Sequence, residues 1–263
     1  MRRTLPILAL FLCAAWAAAA CGAENAPPRP ADTSDIPEDT PPTLVQACGD
    51  ANDLTARAFW QQTKDGVRLY MIEAGKGKTT TVLAHGGRSD LCDTLTFATK
   101  LVAAGYRVIA FDFRGSGRSE APSTNTLALG TDIAAAVAHA RTTGAERVFL
   151  IGSSMGGAAI VQNTSALRVK GRISLSGTRL WPGFGINDPA GVARIRAPFL
   201  YVGSRDDSRA PLKEALGIFR RVGAVDKHIA IYPGPDHGWQ LLDSSRFAPR
   251  ARSLVLRWLE SHS

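Results

Sequence analysis

The sequence predicts an α/β fold, in which a mostly parallel, doubly wound sheet is covered by helices on both faces. Three observations support this prediction. Apolar, β-rich runs alternate with helical patterns from about residue 55 to the end of the chain. The runs are nearly all apolar, as strands buried on both faces should be. Residues able to carry out chemistry follow directly after several runs, where ligands bind in parallel sheets.

The predicted strands are short runs rich in Val, Ile, Leu and Phe, and the helices between them repeat apolar residues every three or four positions. In one such helix, Leu212, Ala215 and Phe219 share a face. The predicted strands are 67–72, 80–84, 107–113, 147–152, 172–176, 198–203 and 228–232, and the predicted helices are 93–104, 126–142, 155–166, 211–222 and 245–260.

The N-terminal segment differs from the rest of the chain. Two arginines precede an apolar run, Leu5 to Ala20, that ends in small residues, which is typical of a secretory signal peptide. Residues 23–47 carry many prolines and few large apolar side chains, so they cannot bury enough surface to fold and are predicted to form a tether. We therefore divide the chain into a signal peptide (1–20), a Pro/Ala/Asp-rich tether (21–49) and one folded domain (50–263).

The end of the apolar run reads Ala18-Ala19-Ala20-Cys21-Gly22 and resembles the lipobox of bacterial lipoproteins, whose cysteine is lipidated. This resemblance implies an exported protein that is anchored to the cell envelope through Cys21. Cleavage within the same alanines would instead give a secreted protein. In either case Cys48 and Cys92 remain in an oxidising compartment, where they could form a disulfide or stay as two thiols.

The charge of the chain is basic but scattered. The net charge is +8, and the part after residue 47 carries 28 basic and 18 acidic residues. No helix-turn-helix, zinc-finger or aromatic stacking pattern accompanies these charges, so nucleic acid is not an expected partner. No His/Cys cluster has the spacing of a zinc site, and no glycine-rich loop fits a dinucleotide or a nucleoside triphosphate. We expect no metal and no cofactor, and the sequence does not indicate an oligomeric state.

The first chemical motif is Gly152-Ser153-Ser154-Met155-Gly156, between a predicted strand and a helix rich in small residues. It fits the pattern G-x-S-x-G of a nucleophile elbow. The serine of such an elbow sits in a strained turn, where side chains two positions away would collide with the backbone, and glycine avoids the collision. The helix N-terminus behind it provides amide donors for an oxyanion. Ser154 is therefore the predicted nucleophile.

Two more motifs occur at strand ends. One is His85-Gly86-Gly87, and the other is Asp112-Phe113-Arg114-Gly115-Ser116-Gly117-Arg118-Ser119. Together with the elbow they resemble the His-Gly-x loop and the D-x-R-G-x-G-x-S turn of the α/β-hydrolase superfamily, in the family's order. The resemblance implies an oxyanion hole formed by the amides of Met155 and Gly87. It also implies structural roles for His85 and for the turn at Asp112.

The predicted base is His237, in the Pro/Gly-rich loop 233–239 between the last predicted strand and the last helix. A neutral serine needs a base within hydrogen-bond reach. Other histidines lie within a helix, on a strand or at the chain end (His139, His228 and His262), and His85 belongs to the oxyanion loop. The loop of His237 looks like the catalytic-histidine loop of the family, and the order Ser, acid, His is that of the fold.

The acid of the triad should follow the strand 198–203, where two aspartates are adjacent. The spacing G-x-x-D, common in the family, selects Asp206. A proline four residues after the acid is also common and selects Asp207, since Pro211 lies there. We predict Asp206 as the acid and expect Asp207 to cap the helix that begins near Pro211.

These residues predict a serine hydrolase that acts on carboxylic esters or related acyl bonds of a small-molecule substrate. Only about 20 residues separate the strands that often flank a lid in this family, so we expect no large lid and no dedicated triglyceride lipase. Trp181, Phe184 and Trp239 could line an acyl pocket or could simply pack in loops. A peptidase or acyltransferase on the same triad, and a binding protein without catalysis, are the alternatives.

Overall fold

The computed structural model of the chain describes residues 39–123, 128–162, 164–178 and 188–263. Its central feature is an eight-stranded sheet with the order β1-β2-β4-β3-β5-β6-β7-β8. The pairs β1–β2 and β2–β4 are antiparallel, and all other pairs are parallel. The prediction of a mostly parallel sheet is therefore confirmed. The strands are β1 (Ala56–Gln62), β2 (Arg68–Ala74), β3 (Thr79–Ala84), β4 (Arg107–Phe111), β5 (Arg147–Ser153), β6 (Gly171–Leu175), β7 (Phe199–Ser204) and β8 (Lys227–Tyr232).

Helices connect the parallel strands, and each predicted helix is present with slightly different ends. In the described residues the helices are α1 (Leu44–Cys48), α2 (Leu95–Ala103), α3 (Leu129–Thr142), α4 (Met155–Gln162), α5 (Pro189–Arg194), α6 (Leu212–Arg221) and α7 (Ala248–His262). Two 3₁₀ turns, Leu91–Thr94 and Gly238–Leu241, precede α2 and α7. None of the helices in these ranges has the length and hydropathy needed to cross a membrane.

The two faces of the sheet carry separate apolar cores. Successive side chains of a strand point to opposite faces, and in β2 Met71 joins one core while Ile72 joins the other. Helices α3, α4, α5 and α6 cover the face of Met71. Helices α1, α2 and α7 cover the face of Ile72. Both faces are thus buried, which explains why the internal strands are apolar throughout.

The folded unit begins before residue 50. It extends from Asp39 to Ser263, so residues 39–49 belong to the domain and not to the predicted tether. Thr43 caps α1 through its side chain, and Leu44 is buried in the core. The rest of the predicted tether, the signal peptide and Cys21 lie outside the described residues.

A disulfide joins the N-terminal segment to the loop after β3. Cys48 at the end of α1 is bonded to Cys92 in the first 3₁₀ turn, with 5.6 Å between the Cα atoms. The sequence left open whether these two cysteines pair. The bond fixes α1 against the loop that leads from Gly87 into α2.

The turn at Asp112 is structural, as the resemblance implied. The Asp112 carboxylate accepts hydrogen bonds from the backbone N–H groups of Leu91 and Arg118, each at 2.7 Å. Gly117 has a φ of +50°, and a Cβ there would collide with this carboxylate. The turn thus links the end of β4 to the loop after β3, which forms one wall of the site.

Candidate active site

Ser154 is the single residue between the end of β5 and the start of α4. Its φ is +51°, a strained conformation for a residue other than glycine. The flanking glycines permit it, because a Cβ on Gly152 would lie 2.5 Å from the carbonyl carbon of Gly156, and one on Gly156 would lie 2.5 Å from the carbonyl oxygen of His85. The backbone N–H of Ser154 donates to Leu175 on β6 at 2.8 Å. This geometry is that of a nucleophile elbow.

The His-Gly loop packs directly on the elbow. The N–H of Gly156 donates to the carbonyl of His85 at 3.1 Å, and the Cβ position of Gly86 is 3.6 Å from the Cβ of Ser154. Met155 is the first residue of α4, where backbone N–H groups have no acceptor within the helix. Gly87 lies in the wall of the cavity that contains Ser154. The two residues predicted to form the oxyanion hole therefore lie on adjacent segments.

His85 holds this loop and is unsuited to act as a base. The backbone N–H of Phe113 donates to His85 Nε2 at 2.9 Å, so the proton is on Nδ1, which donates to the carbonyl of Gly86 at 2.6 Å. The ring is fully buried, and burial lowers the pKa of His85 to about 4. Both ring nitrogens are thus engaged with backbone in the neutral form.

His237 follows β8 and immediately precedes the second 3₁₀ turn. It is 8% exposed, and its backbone N–H donates to the Gln240 side chain at 3.1 Å. His237 shares a cavity of about 820 Å³ with Ser154, which we call the Ser154 cavity. The remaining histidines bind carboxylates elsewhere, His139 with Glu73 and both His228 and His262 with Asp226. Among the five histidines, His237 is the one placed to serve Ser154.

The carboxylate that contacts His237 is that of Asp207, so the prediction of Asp206 was wrong by one residue. Asp207 Oδ2 lies 2.6 Å from Nδ1 of His237. Asp206 is exposed and instead ties the two loops together, with its N–H donating to the Gly234 carbonyl and its carboxylate accepting from the Gly234 N–H. Strand β7 continues to Ser204, one residue beyond its predicted end, and the turn directs the second aspartate inward.

Asp207 does not cap α6, the structural role that we expected for it. Its Oδ1 accepts hydrogen bonds from the backbone N–H groups of Arg209 and Ala210, before the helix begins at Leu212. The residue is only 3% exposed. Burial alone would raise the pKa of Asp207, but the hydrogen bond from His237 and the charge of its ring hold that pKa below the usual range. Asp207 is therefore a carboxylate oriented toward the imidazole.

Ser176 belongs to the same network and was missed by the sequence analysis. It follows β6, is fully buried and has a φ of +51°. Its hydroxyl lies close enough to the Asp207 carboxylate to lower the pKa of Asp207, although it completes no hydrogen bond of good geometry. Its position directly after a strand of the parallel sheet is the signal that could have identified it.

Other residues near Ser154 complete the wall of the cavity. Ser153 lines the Ser154 cavity as well, and its hydroxyl packs against Gly238. Trp239 also lines the cavity while packing on Phe97, with 6.2 Å between the ring centroids. Trp181 and Phe184, the other candidates for an acyl pocket, lie outside the described residues.

Residues 75–182 match the family model described as serine aminopeptidase, S33. This range contains the His85 loop and the elbow at Ser154, and it ends before Asp207 and His237.

Solved structures with a similar fold cover most of the chain. The chain is similar to an esterase of Pyrococcus furiosus, with a TM-score of 0.70 and 18% identity over 80% of this chain and 91% of that one. It is also similar to the monoacylglycerol lipase of Paleococcus ferrophilus, with a TM-score of 0.64 and 19% identity over 74% of this chain and 99% of that one. An esterase from Exiguobacterium antarcticum matches with a TM-score of 0.63 and 15% identity over 76% and 98% of the two chains. These solved structures show that the chain has the α/β-hydrolase fold, and the family model matches the part of it that carries the elbow at Ser154.

Proposed function

We propose that the protein is a serine hydrolase that cleaves carboxylic esters through an acyl-enzyme, with Ser154, His237 and Asp207 as its triad. The observation that carries this proposal is the joint placement of the three groups. Ser154 is held at a strained elbow in the same cavity as His237, whose Nδ1 lies 2.6 Å from the buried carboxylate of Asp207. Orientation of the imidazole by a buried carboxylate is what a serine nucleophile needs.

Each group has a definite role in the proposed reaction. Because Asp207 accepts from Nδ1, the free Nε2 of His237 can take the proton of Ser154 as the hydroxyl attacks the ester carbonyl. The amides of Met155 and Gly87 stabilise the resulting oxyanion, and removal of one such donor typically costs about 10²–10³ in turnover. His237 then returns the proton to the leaving alcohol, and water releases the acid in a second cycle.

The decisive experiment is labelling with a fluorophosphonate probe. The wild type and Ser153→Ala should be labelled, whereas Ser154→Ala should not be, and its thermal stability should stay close to that of the wild type. Ser153→Ala is the matched control, because it removes the adjacent hydroxyl from the same cavity. Undiminished labelling of Ser154→Ala would contradict the assignment. An unlabelled wild type would support the alternative of a binding protein without catalysis.

A second experiment measures which length of acyl chain the protein prefers. Trp239 is the one large apolar side chain in the described wall of the Ser154 cavity. We therefore expect p-nitrophenyl esters of short acids, such as acetate and butyrate, to be cleaved with higher kcat/KM than the palmitate ester. A preference for the palmitate ester would indicate an apolar acyl site formed with residues outside the described ranges.

The name of the matched family model favours a second candidate, hydrolysis of the amide bond at a peptide N-terminus. The proposed triad can act on amides as well as on esters. Amino-acid p-nitroanilides, assayed beside the corresponding p-nitrophenyl esters, distinguish the two. Higher kcat/KM on the anilides would replace the ester hydrolase by a peptidase.

We also propose that the protein is exported and anchored through a lipid on Cys21. The disulfide between Cys48 and Cys92 supports export, because such bonds persist in oxidising compartments. Protein from the native host should partition into detergent, and Cys21→Ser should move it to the soluble fraction. A soluble wild type with a free N-terminus near residue 21 would favour plain secretion.

A further inference from the structure

The described wall of the Ser154 cavity carries four charged side chains. It includes two arginines, Arg88 and Arg209, and two aspartates, Asp93 and Asp243, around a volume of about 820 Å³. Small-molecule sites are mostly apolar, with a few polar groups that fix the orientation of the ligand. These four side chains are therefore candidates for substrate recognition.

Arg88 follows Gly87 directly and has no counter-charge among the described residues. Its φ is +60°, which is strained for a residue other than glycine. Within the described part of the chain, its guanidinium has neither an ion pair nor a hydrogen bond. A strained backbone thus presents an unpaired cation next to the predicted oxyanion loop.

Arg209 occupies the other side of the site, in the loop that begins with Asp207. Its guanidinium donates to the Gln240 side chain at 3.3 Å, and the same oxygen of Gln240 accepts from the backbone N–H of His237. No carboxylate neutralises Arg209 among the described residues. The contact with Gln240 holds this cation beside the proposed base.

The two aspartates of the wall form no ion pair with either arginine among the described residues. Asp93 accepts a hydrogen bond from the Ser89 hydroxyl, so part of its hydrogen-bonding capacity is already used. Burial raises the pKa of Asp243 to about 6, and the negative charge of Asp93 adds to this increase while Arg252 opposes it. A guanidinium remains charged at every pH of interest. Since neither aspartate pairs with Arg88 or Arg209 in the described residues, both guanidiniums remain available to an anionic group of a ligand.

We propose that the substrates are carboxylic esters that carry an anionic group, such as a carboxylate, remote from the scissile bond, and that Arg88 and Arg209 bind this group. The proposal rests on the proposed ester hydrolase function and specifies its substrate class. A planar guanidinium matches a carboxylate with two parallel hydrogen bonds, so these residues determine specificity through geometry as well as charge.

The test compares esters that differ only in the terminal group of the acyl chain. Monophenyl adipate is anionic, phenyl hexanoate is neutral, and phenyl 6-aminohexanoate is cationic. A second pair, 4-acetoxybenzoate and its methyl ester, places the charge on the alcohol side. Each kcat/KM is divided by the alkaline hydrolysis rate of the same ester, which removes differences in intrinsic reactivity. We expect the anionic ester to exceed the neutral one several-fold in at least one series.

Variants of the two arginines test whether Arg88 and Arg209 cause the preference for the anionic ester. In the preferred series, Arg88→Gln and Arg209→Gln should each lower the anionic-to-neutral ratio by about two- to fivefold, the range expected for exposed ion pairs. The double variant should bring the ratio close to one. Arg205→Gln is the matched control, because it removes one exposed charge from the same loop as Arg209 but outside the cavity wall, and its ratio should equal that of the wild type. Added salt should reduce the wild-type ratio.

The outcomes separate this proposal from the one on which it rests. Equal or faster cleavage of the neutral esters would overturn the anionic substrate class while leaving the ester hydrolase intact. Preference for the cationic ester would overturn it too and would assign recognition to Asp93 and Asp243. Absence of both probe labelling and ester cleavage in the wild type would overturn the proposed function itself.

Discussion

Asp206 and Asp207 provide the sharpest test at the scale of single residues, since they are adjacent and differ in contacts. Asp207 is buried against His237, whereas Asp206 is exposed and bonds to the backbone of Gly234. Replacing Asp207 by Asn puts an N–H donor or a weaker acceptor against Nδ1 and favours the wrong tautomer. We expect Asp207→Asn to lower kcat by about 10⁴, as in other triads.

Asp206→Asn is the matched control for this prediction. It keeps an acceptor toward Gly234, so kcat at neutral pH should remain within a few-fold of the wild type. Steady-state kinetics on a p-nitrophenyl ester, with circular dichroism to verify folding, measures both variants. An inactive Asp206→Asn with an active Asp207→Asn would show that the contact to His237 is not the one used in catalysis.

The sequence predicts the nucleophile and the base, but it does not resolve the acid. Ser154 must be flanked by glycines because its backbone is strained, and this constraint is visible as a pattern. The choice between Asp206 and Asp207 depends on whether β7 ends at Gly203 or at Ser204. A shift of one residue reverses which side chain points inward, and strand ends are not encoded that sharply. The only sequence signal of Ser176 is its position directly after a predicted strand, and that position does not reveal its role, which comes from contact with a distant loop.

Among whole strands and helices too, the sequence predicts those that leave a residue pattern and misses those that depend on tertiary contacts. Strands β2 to β7 are predicted because burial on both faces demands continuous apolar runs. Strand β8 is an edge strand and is only partly buried, but its run His228-Ile229-Ala230-Ile231-Tyr232 is still apolar enough to be predicted. Strand β1 is an edge strand with one buried side chain, Phe59, so it lacks such a run. Helix α1 has only five residues, too few for a helical repeat, and it lies within a proline-rich segment. Its stability comes from tertiary contacts of Leu44 and from the disulfide at Cys48, which composition does not reveal.

The disulfide should contribute measurably to stability. It closes a loop with a sequence separation of 44 residues, and cross-links of this kind restrict the unfolded chain. We expect the double variant Cys48→Ser/Cys92→Ser to lower the free energy of unfolding by about 2–4 kcal/mol. Urea denaturation of the chain with Cys21→Ser, followed by fluorescence, measures this difference.

Reduced wild type is the control for the cysteine variant. Treatment with a reductant should lower the stability of the wild type to that of the double variant, and it should leave the double variant unchanged. Thiol titration of the unfolded, unreduced protein should detect neither Cys48 nor Cys92. Detection of both thiols in protein purified from the periplasm or the medium would contradict the bond.

At the scale of the whole molecule, two buried groups at the ends of β3 and β4 give opposite pH dependence to folding. Burial lowers the pKa of His85 to about 4. Unfolded protein therefore binds more protons than folded protein between pH 4 and the ordinary histidine pKa of about 6.5, and stability falls as the pH falls through this range. Burial raises the pKa of Asp112 to about 6. Below that pH the folded state takes up the proton first, so stability rises as the pH falls toward about 4.

These opposite signs give the last prediction, which compares His85→Gln and Asp112→Asn. We measure the free energy of unfolding at about pH 7 and about pH 4.5 and take the difference for each protein. In the wild type, His85 lowers the free energy of unfolding when the pH falls from about 7 to about 4.5. Without His85 this loss is absent, so the free energy of unfolding at about pH 4.5, relative to that at about pH 7, should be about 2–3 kcal/mol higher in His85→Gln than in the wild type. Asp112 raises the free energy of unfolding over the same fall in pH, so in Asp112→Asn the value at about pH 4.5, relative to that at about pH 7, should be about 2 kcal/mol lower than in the wild type. Because each variant serves as its own reference at neutral pH, an overall loss of stability does not affect the comparison. Shifts of the same sign in both variants would show that burial does not control the protonation of these two groups.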